Sequence, residues 1–242
     1  MNQQIELVLF TTETEMVLQA DKAGINHFMV DLEQSDLDSR KALTGKETEV
    51  NKVEDILSLS KITNKPIWCR INAYGEHSKQ EVQSVIENGV DVILLPMVKT
   101  IEEVKEFLIL INGQAKTGIL VETKEACDLA NQLSKLPLDY IYVGLFDLSL
   151  SRNSNDIFEP LYDGTVEILR NIFNKQKFGV AGLTTIDSGK PIPGLQLMNH
   201  IARLGCDFTF LRNSFKKDIQ GKCFNQEILS IRQAWDHFTN AD

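Results

Sequence analysis

Residues Gly118–Thr123 read GILVET and residues Tyr142–Ser149 read YVGLFDLS. Each is an apolar run that meets a carboxylate, Glu122 in the first and Asp147 in the second, 25 residues apart. That spacing is one strand, one helix and their connections, the length of a βα repeat. A carboxylate closing a run buried on both faces costs several kcal/mol unless it is paired or holds a metal. The two stretches therefore raise a question of fold and a question of chemistry together.

The repeat extends in both directions. Strands are expected at 5–11 (IELVLFT), 27–33 (HFMVDLE), 66–72 (PIWCRIN), 91–97 (DVILLPM), 117–123, 140–146, 178–184 (FGVAGLT) and 207–213 (DFTFLRN). All are short and rich in Val, Ile, Leu or Phe, without polar alternation, as strands of a parallel sheet covered on both faces are. Between them lie stretches of helical period. EMVLQADKAG, KQEVQSVIENG and GLQLMNHIARLG end at a glycine stop, and TIEEVKEFLILING opens on a threonine cap with acidic residues in its first turn. KEACDLANQLSKLP stops before Pro137, and further helices are expected over 160–176 and about 225–238. Eight strands, each followed by a helix, predict one α/β domain over residues 1–242, a single (β/α)8 TIM barrel with a parallel eight-stranded core. The alternative is an open doubly wound sheet, but no GxGxxG follows the first strand and no linker divides the chain.

Bulk properties narrow the class. The 242 residues carry a net charge of −9, which argues against a nucleic-acid surface. No apolar run is long enough to span a membrane, and MNQQIELVLF has no basic region before its apolar stretch. Cys69, Cys127, Cys206 and Cys223 form no CxxC pair, which fits a reducing compartment and a cytoplasmic location. His27, His77, His200 and His237 form no ligand set, so zinc is not favoured.

In a barrel the C-terminal strand ends share one mouth. The polar residues there are Asp31 and Glu33, Arg70 and Asn72, Glu122, Asp147 and Arg212. Hard oxygen ligands at Glu122 and Asp147 suit Mg²⁺ or Mn²⁺, with water and substrate filling the other positions. Helix capping by the same two carboxylates is the competing explanation. Arg70 shares inward parity with Trp68 and Asn72; it would hold a substrate carboxylate, or be paired with Asp31 or Glu33. Long loops are expected at 34–46, 148–157 and 185–193, all on the mouth side, and the last runs through IDSGKPIPG, Ile186 to Gly194, which reads as a lid or as a surface connection. No strand-end lysine suits a Schiff base, Lys99 and Lys116 reading as solvated, and there is no GxSxG.

The stretches AGINHFMVDLE, CRINAYGE, NGVDVILLPMVKTIEEV, ILVETKEA and YVGLFDLSLS, in this order and at one-repeat spacings, resemble the HpcH/HpaI aldolase and citrate lyase β-subunit family of phosphoenolpyruvate/pyruvate-type barrels. The resemblance implies a divalent metal on Glu122 and Asp147, Arg70 on a substrate carboxylate, and Glu33 ordering water or metal-bound groups. It implies carbon–carbon bond cleavage or formation in a 2-oxo acid or hydroxy acid aldol through a metal-stabilised enolate, and a homo-oligomer. The stretch from FGVAGLT to LRNSF resembles a subgroup rather than the whole family.

Four positions depart from the pattern. Gln34 stands where the aldolase branch has a histidine and the lyase branch an aspartate, and it cannot act as a base. Leu145 and Phe146 precede the metal aspartate in place of the usual proline (or leucine) and small or amide residue, and Leu120 stands where some aldolases place a glutamine. Asp31, Glu33, Asp36 or a metal-bound water is then the candidate base, with His77 a weaker one. The departures leave a second function open, a barrel that binds metal and a small 2-oxo acid without cleaving an aldol. A CoA-thioester lyase is a further alternative, although no basic patch suits a CoA tail. A phosphosugar isomerase would instead use Gly182, Gly189 and the helix start at Ser214 for phosphate.

Overall fold

A computed structural model of the chain describes residues 4–33, 51–211 and 213–240. Gln34, Asp36, the 34–46 loop and Arg212 lie outside the described residues. Eight parallel strands close into a barrel in sequence order: β1 (Glu6–Phe10), β2 (His27–Asp31), β3 (Ile67–Arg70), β4 (Val92–Leu95), β5 (Lys116–Val121), β6 (Tyr140–Val143), β7 (Lys177–Leu183) and β8 (Phe208–Leu211). β1 pairs with both β2 and β8, which completes the ring. The expected (β/α)8 barrel is therefore the fold, and each expected strand is present, ending one to three residues earlier than expected, with β5 and β7 also beginning one residue earlier.

The apolar runs have no polar face because each strand serves two cores. Ile5, Leu7 and Leu9 pack outward against the helices, whereas Val8 and Phe10 join the barrel interior. That interior is filled by Val8, Met29, Trp68, Val92, Leu94, Leu120, Tyr140, Tyr142, Phe208 and Phe210. Trp68 and Phe208 are wholly buried, and truncating a side chain of this size in a packed core costs about 3–5 kcal/mol. β7 is irregular: its register against β8 shifts between Gly179 and Gly182, with Ala181 at φ 60° inside the shift. Gly179 has no room for a side chain, because a Cβ would come within 2.8 Å of the Phe208 ring.

Helix boundaries follow the expected signals in most places. Thr100 caps Ile101–Ile111 in a reciprocal box with Glu103, and that helix stops at Asn112 and Gly113, both at positive φ. Gly24, Gly89 and Gly205, also at positive φ, follow the helices Thr14–Lys22, Ser78–Glu87 and Gly194–Arg203. Three expectations need correction. The helix expected over KEACDLANQLSKLP is two short ones, Lys124–Asp128 and Ala130–Leu133. The helix over 160–176 is two helices, Glu159–Tyr162 and Thr165–Ile172, broken at Gly164 with φ 84°. The segment 148–157 is not all loop, because a helix spans Leu145–Ser151. No described helix is long and apolar enough to cross a membrane.

At the opposite end from the mouth, Glu6, His27 and Lys177 form a polar cluster. Glu6 takes Lys177 Nζ at 2.6 Å on one oxygen and meets His27 Nε2 at 3.1 Å with the other. Burial works against the Glu6 charge, but the bonds and charges of His27 and Lys177 outweigh it and bring the carboxyl down to about 2.

Candidate active site

Glu122 follows β5 directly and is 1% exposed. It is not a helix cap. Thr123 takes that part, accepting from Ala126 N–H at 3.0 Å and donating to the Val98 carbonyl. This leaves the Glu122 side chain for the mouth. Its Oε1 accepts the Met97 backbone N–H at 3.0 Å. Met97 follows β4 with φ 54°, a left-handed conformation that a residue with a Cβ rarely adopts.

Asp147 lies elsewhere than its sequence suggests. β6 ends at Val143, Gly144 is the N-cap, and Asp147 is in the first turn of the helix Leu145–Ser151. The apolar run continues through this change because Leu145 and Leu148, three apart on one helix face, are also buried. Gly144 lies against Glu122: a Cβ on it would come 2.3 Å from Glu122 Oε2. The missing side chain is thus the space that the carboxylate occupies. Burial foremost, then the charges of Asp147 and Glu33, push the Glu122 carboxyl up to about 8, against the pull of Arg70 and the Met97 N–H.

Arg70, the last residue of β3, is paired on two sides. Its Nε and Nη2 donate to the two oxygens of Asp31 at 2.9 and 2.6 Å, and its Nη1 lies 2.9 Å from Glu33 Oε2. Burial disfavours its charge, but Asp31, Glu33 and Glu122 more than restore it and keep the guanidinium firmly protonated. Asp31 is itself fixed, its N–H donating to Asn51 Oδ1 at 3.0 Å. Asn72, expected beside Arg70, instead gives its side-chain amide to Glu81 at 2.7 Å.

Asp31, Glu33, Arg70, Glu122 and Asp147 are thus one electrostatic group. Four carboxylates against one guanidinium leave a formal excess of three negative charges. Among the described residues no group of three or more His, Cys, Asp or Glu side chains is arranged to hold a metal. A divalent ion would have Glu122 and Asp147 as protein ligands and draw on water and substrate for the rest, as Mg²⁺ commonly does. The raised Glu122 carboxyl fits such an ion, because a nearby cation offsets the burial and like-charge effects that disfavour its ionised form.

Other candidates lie apart from this group. His77 is exposed, 3.9 Å from Glu81. Lys99 and Lys116 are exposed. Gly189 and Gly194 serve tight packing within their own loop, where a Cβ would meet backbone oxygens at 2.8 and 2.5 Å. That loop is tied down through Asp187, which Lys222 holds at 2.6 Å. The residues that sequence reading missed are Met97 and Gly144. A Pro-Met pair ending a strand and a glycine before an acidic helix turn were the available signals.

A family model for HpcH/HpaI aldolase/citrate lyase matches residues 4–156. The match spans more than half of the chain and contains all five residues of the group, so the chain belongs to this family. β7 and β8 lie beyond the matched segment. No curated protein sequence matches. Solved structures match over nearly the whole chain. An HpcH/HpaI aldolase/citrate lyase family protein from Burkholderia cenocepacia J2315 aligns with TM-score 0.67 and 13% identity, over 98% of this chain and 95% of that one. Citrate synthase SbnG aligns with TM-score 0.65 and 15% identity, over 100% and 96%. A mutant tryptophan synthase α-subunit from Pyrococcus furiosus aligns with TM-score 0.63 and 12% identity, over 99% and 100%. At these identities the likeness is one of fold, shared by barrels of different chemistry.

Proposed function

We propose that this chain is a divalent-metal-dependent aldolase or lyase that makes or breaks the carbon–carbon bond of a pyruvate-type 2-oxo acid aldol. The observation that carries the proposal is the buried Glu122 carboxyl, seated in the space left by Gly144 and within reach of the Asp147 charge. Family membership supplies the reaction class.

Glu122 and Asp147 would hold Mg²⁺ or Mn²⁺. When bound, the ion supplies a Lewis acid where negative charge grows on the 2-oxo oxygen. The chain's own residues do the remainder. Arg70, oriented by Asp31 and Glu33, presents fixed positive charge to the substrate carboxylate. In the cleavage direction a base takes the proton of the aldol hydroxyl as the carbon–carbon bond breaks and an aldehyde leaves. Asp31 is the better placed of the two described carboxylates, since its side chain is 25% exposed and that of Glu33 is 0%. Glu33 then acts on Arg70 from the buried side.

The test is hydrogen–deuterium exchange at the pyruvate methyl group, followed by NMR in D2O with Mg²⁺ present. The proposal expects exchange that stops with EDTA and in Asp147→Ala. Metal-dependent pyruvate binding without exchange would favour the second reading, a binding barrel without a base, which Gln34 suggests.

A further inference from the structure

The mouth is charged on one side and aromatic on another. Asp31, Arg70, Glu122 and Asp147 come from β2, β3, β5 and the helix after β6. Phe10, the last residue of β1, is half-buried and packs onto the barrel interior. Its ring meets Phe210 of β8 edge-on, centroids 5.1 Å apart. Phe210 in turn stacks on Tyr142 of β6 at 3.7 Å and 16°. The Arg70 guanidinium carbon lies 5.7 Å from the Phe10 centroid, so this platform begins where the charged group ends.

Such a platform selects by charge as well as shape. The face of an aromatic ring carries negative potential and repels a carboxylate laid on it. The neighbouring carboxylates repel it further, and Arg70, already paired with Asp31 and Glu33, is engaged by the pyruvate carboxylate in the reading above. An uncharged, flat or aliphatic group gains apolar contact on the same surface.

Resting on the aldolase reading above, we infer that Phe10, with Phe210 and Tyr142 beneath it, receives the aldehyde half of the substrate. That aldehyde is uncharged and apolar, aryl or short alkyl, and not a second carboxylate. Phe10 is the specificity-determining contact, because it is the ring of the three with the most exposed surface.

The experiment measures aldol formation from pyruvate and Mg²⁺ with benzaldehyde, butanal, glyoxylate or succinic semialdehyde. Wild type, Phe10→Ala and Phe10→Leu are compared, and pyruvate methyl exchange is followed in the same samples. The expected result is a kcat/KM for benzaldehyde and butanal at least about tenfold above that for the two acids. Phe10→Ala lowers that ratio about tenfold, and Phe10→Leu, which keeps apolar volume should the alanine variant fold poorly, lowers the benzaldehyde rate more than the butanal rate. A purely structural role for Phe10 would lower all four rates alike and overturn the inference, as would a preference for glyoxylate or succinic semialdehyde. Exchange without that preference overturns the inference alone. Absence of exchange in wild type overturns the aldolase reading and this inference with it.

Discussion

Gly144 and Glu122 share one volume: a Cβ on the glycine would stand 2.3 Å from Glu122 Oε2 and 2.9 Å from Glu122 Cβ. The backbone after β6 thereby forms one wall of the carboxylate's seat. Gly144 has φ −84°, so its lack of a side chain answers a steric need and not a conformational one.

Gly144→Ala must displace the Glu122 carboxyl. The expected outcome is a folded barrel that has lost metal-dependent pyruvate binding, because Glu122, a proposed ligand, is pushed out of its seat. Circular dichroism and calorimetry check the two halves. Retained tight binding would mean that Glu122 is not a ligand.

At Met97 the usual order of glycine and alanine should invert. In ordinary elements glycine is less stable than alanine by roughly 0.5–1 kcal/mol. At φ 54° the Cβ is the strained group, so Met97→Gly should be more stable to urea than Met97→Ala. The glycine variant also keeps the N–H that Glu122 accepts.

Removing the charge of Arg70 strands two carboxylates. Arg70→Met is expected to cost about 3–5 kcal/mol in urea unfolding, since Asp31 and the buried Glu33 lose their counter-charge. Adding Asp31→Asn should recover part of that loss, and a double-mutant cycle over the two positions measures the coupling.

The cluster at the far end of the barrel sets an acid limit. The Glu6 carboxyl is lowered from 4.5 to about 2 by His27 and Lys177 against the opposing effect of burial. A lowered carboxyl stabilises the fold fully above its unfolded value and ceases to do so as pH falls through the folded one. Wild type should therefore lose stability between about pH 4.5 and 2, and Glu6→Gln should lose less over that window while starting lower at pH 7. Urea titrations at a series of pH values test this.

The barrel was legible because a strand covered on both faces leaves an unbroken apolar run, as ELVLF and YIYV do. The glycine stops at Gly24, Gly89 and Gly205 marked helix ends for the same reason that any positive φ favours glycine. Asp147 was misplaced because Leu145 and Leu148 are buried whether the run is strand or helix, and a short apolar run does not distinguish the two. Gly164 lies inside the stretch expected as one helix, and its positive φ ends one helix and starts another. The pairing of Arg70 with Asp31 was open in the sequence and is settled by the register that places the two residues side by side on β2 and β3. Gly144 against Glu122 and Met97 over Glu122 join residues from different repeats, and no local pattern encodes such meetings.

The central claim is that Glu122 and Asp147 hold a divalent ion that a 2-oxo acid then joins. Titration calorimetry of pyruvate into the wild-type protein with Mn²⁺, with EDTA, and into Asp147→Ala with Mn²⁺ tests it most directly. The account predicts saturable binding in the first case and none in the other two. Equal binding in all three, or none with Mn²⁺ bound to the wild type, would contradict it.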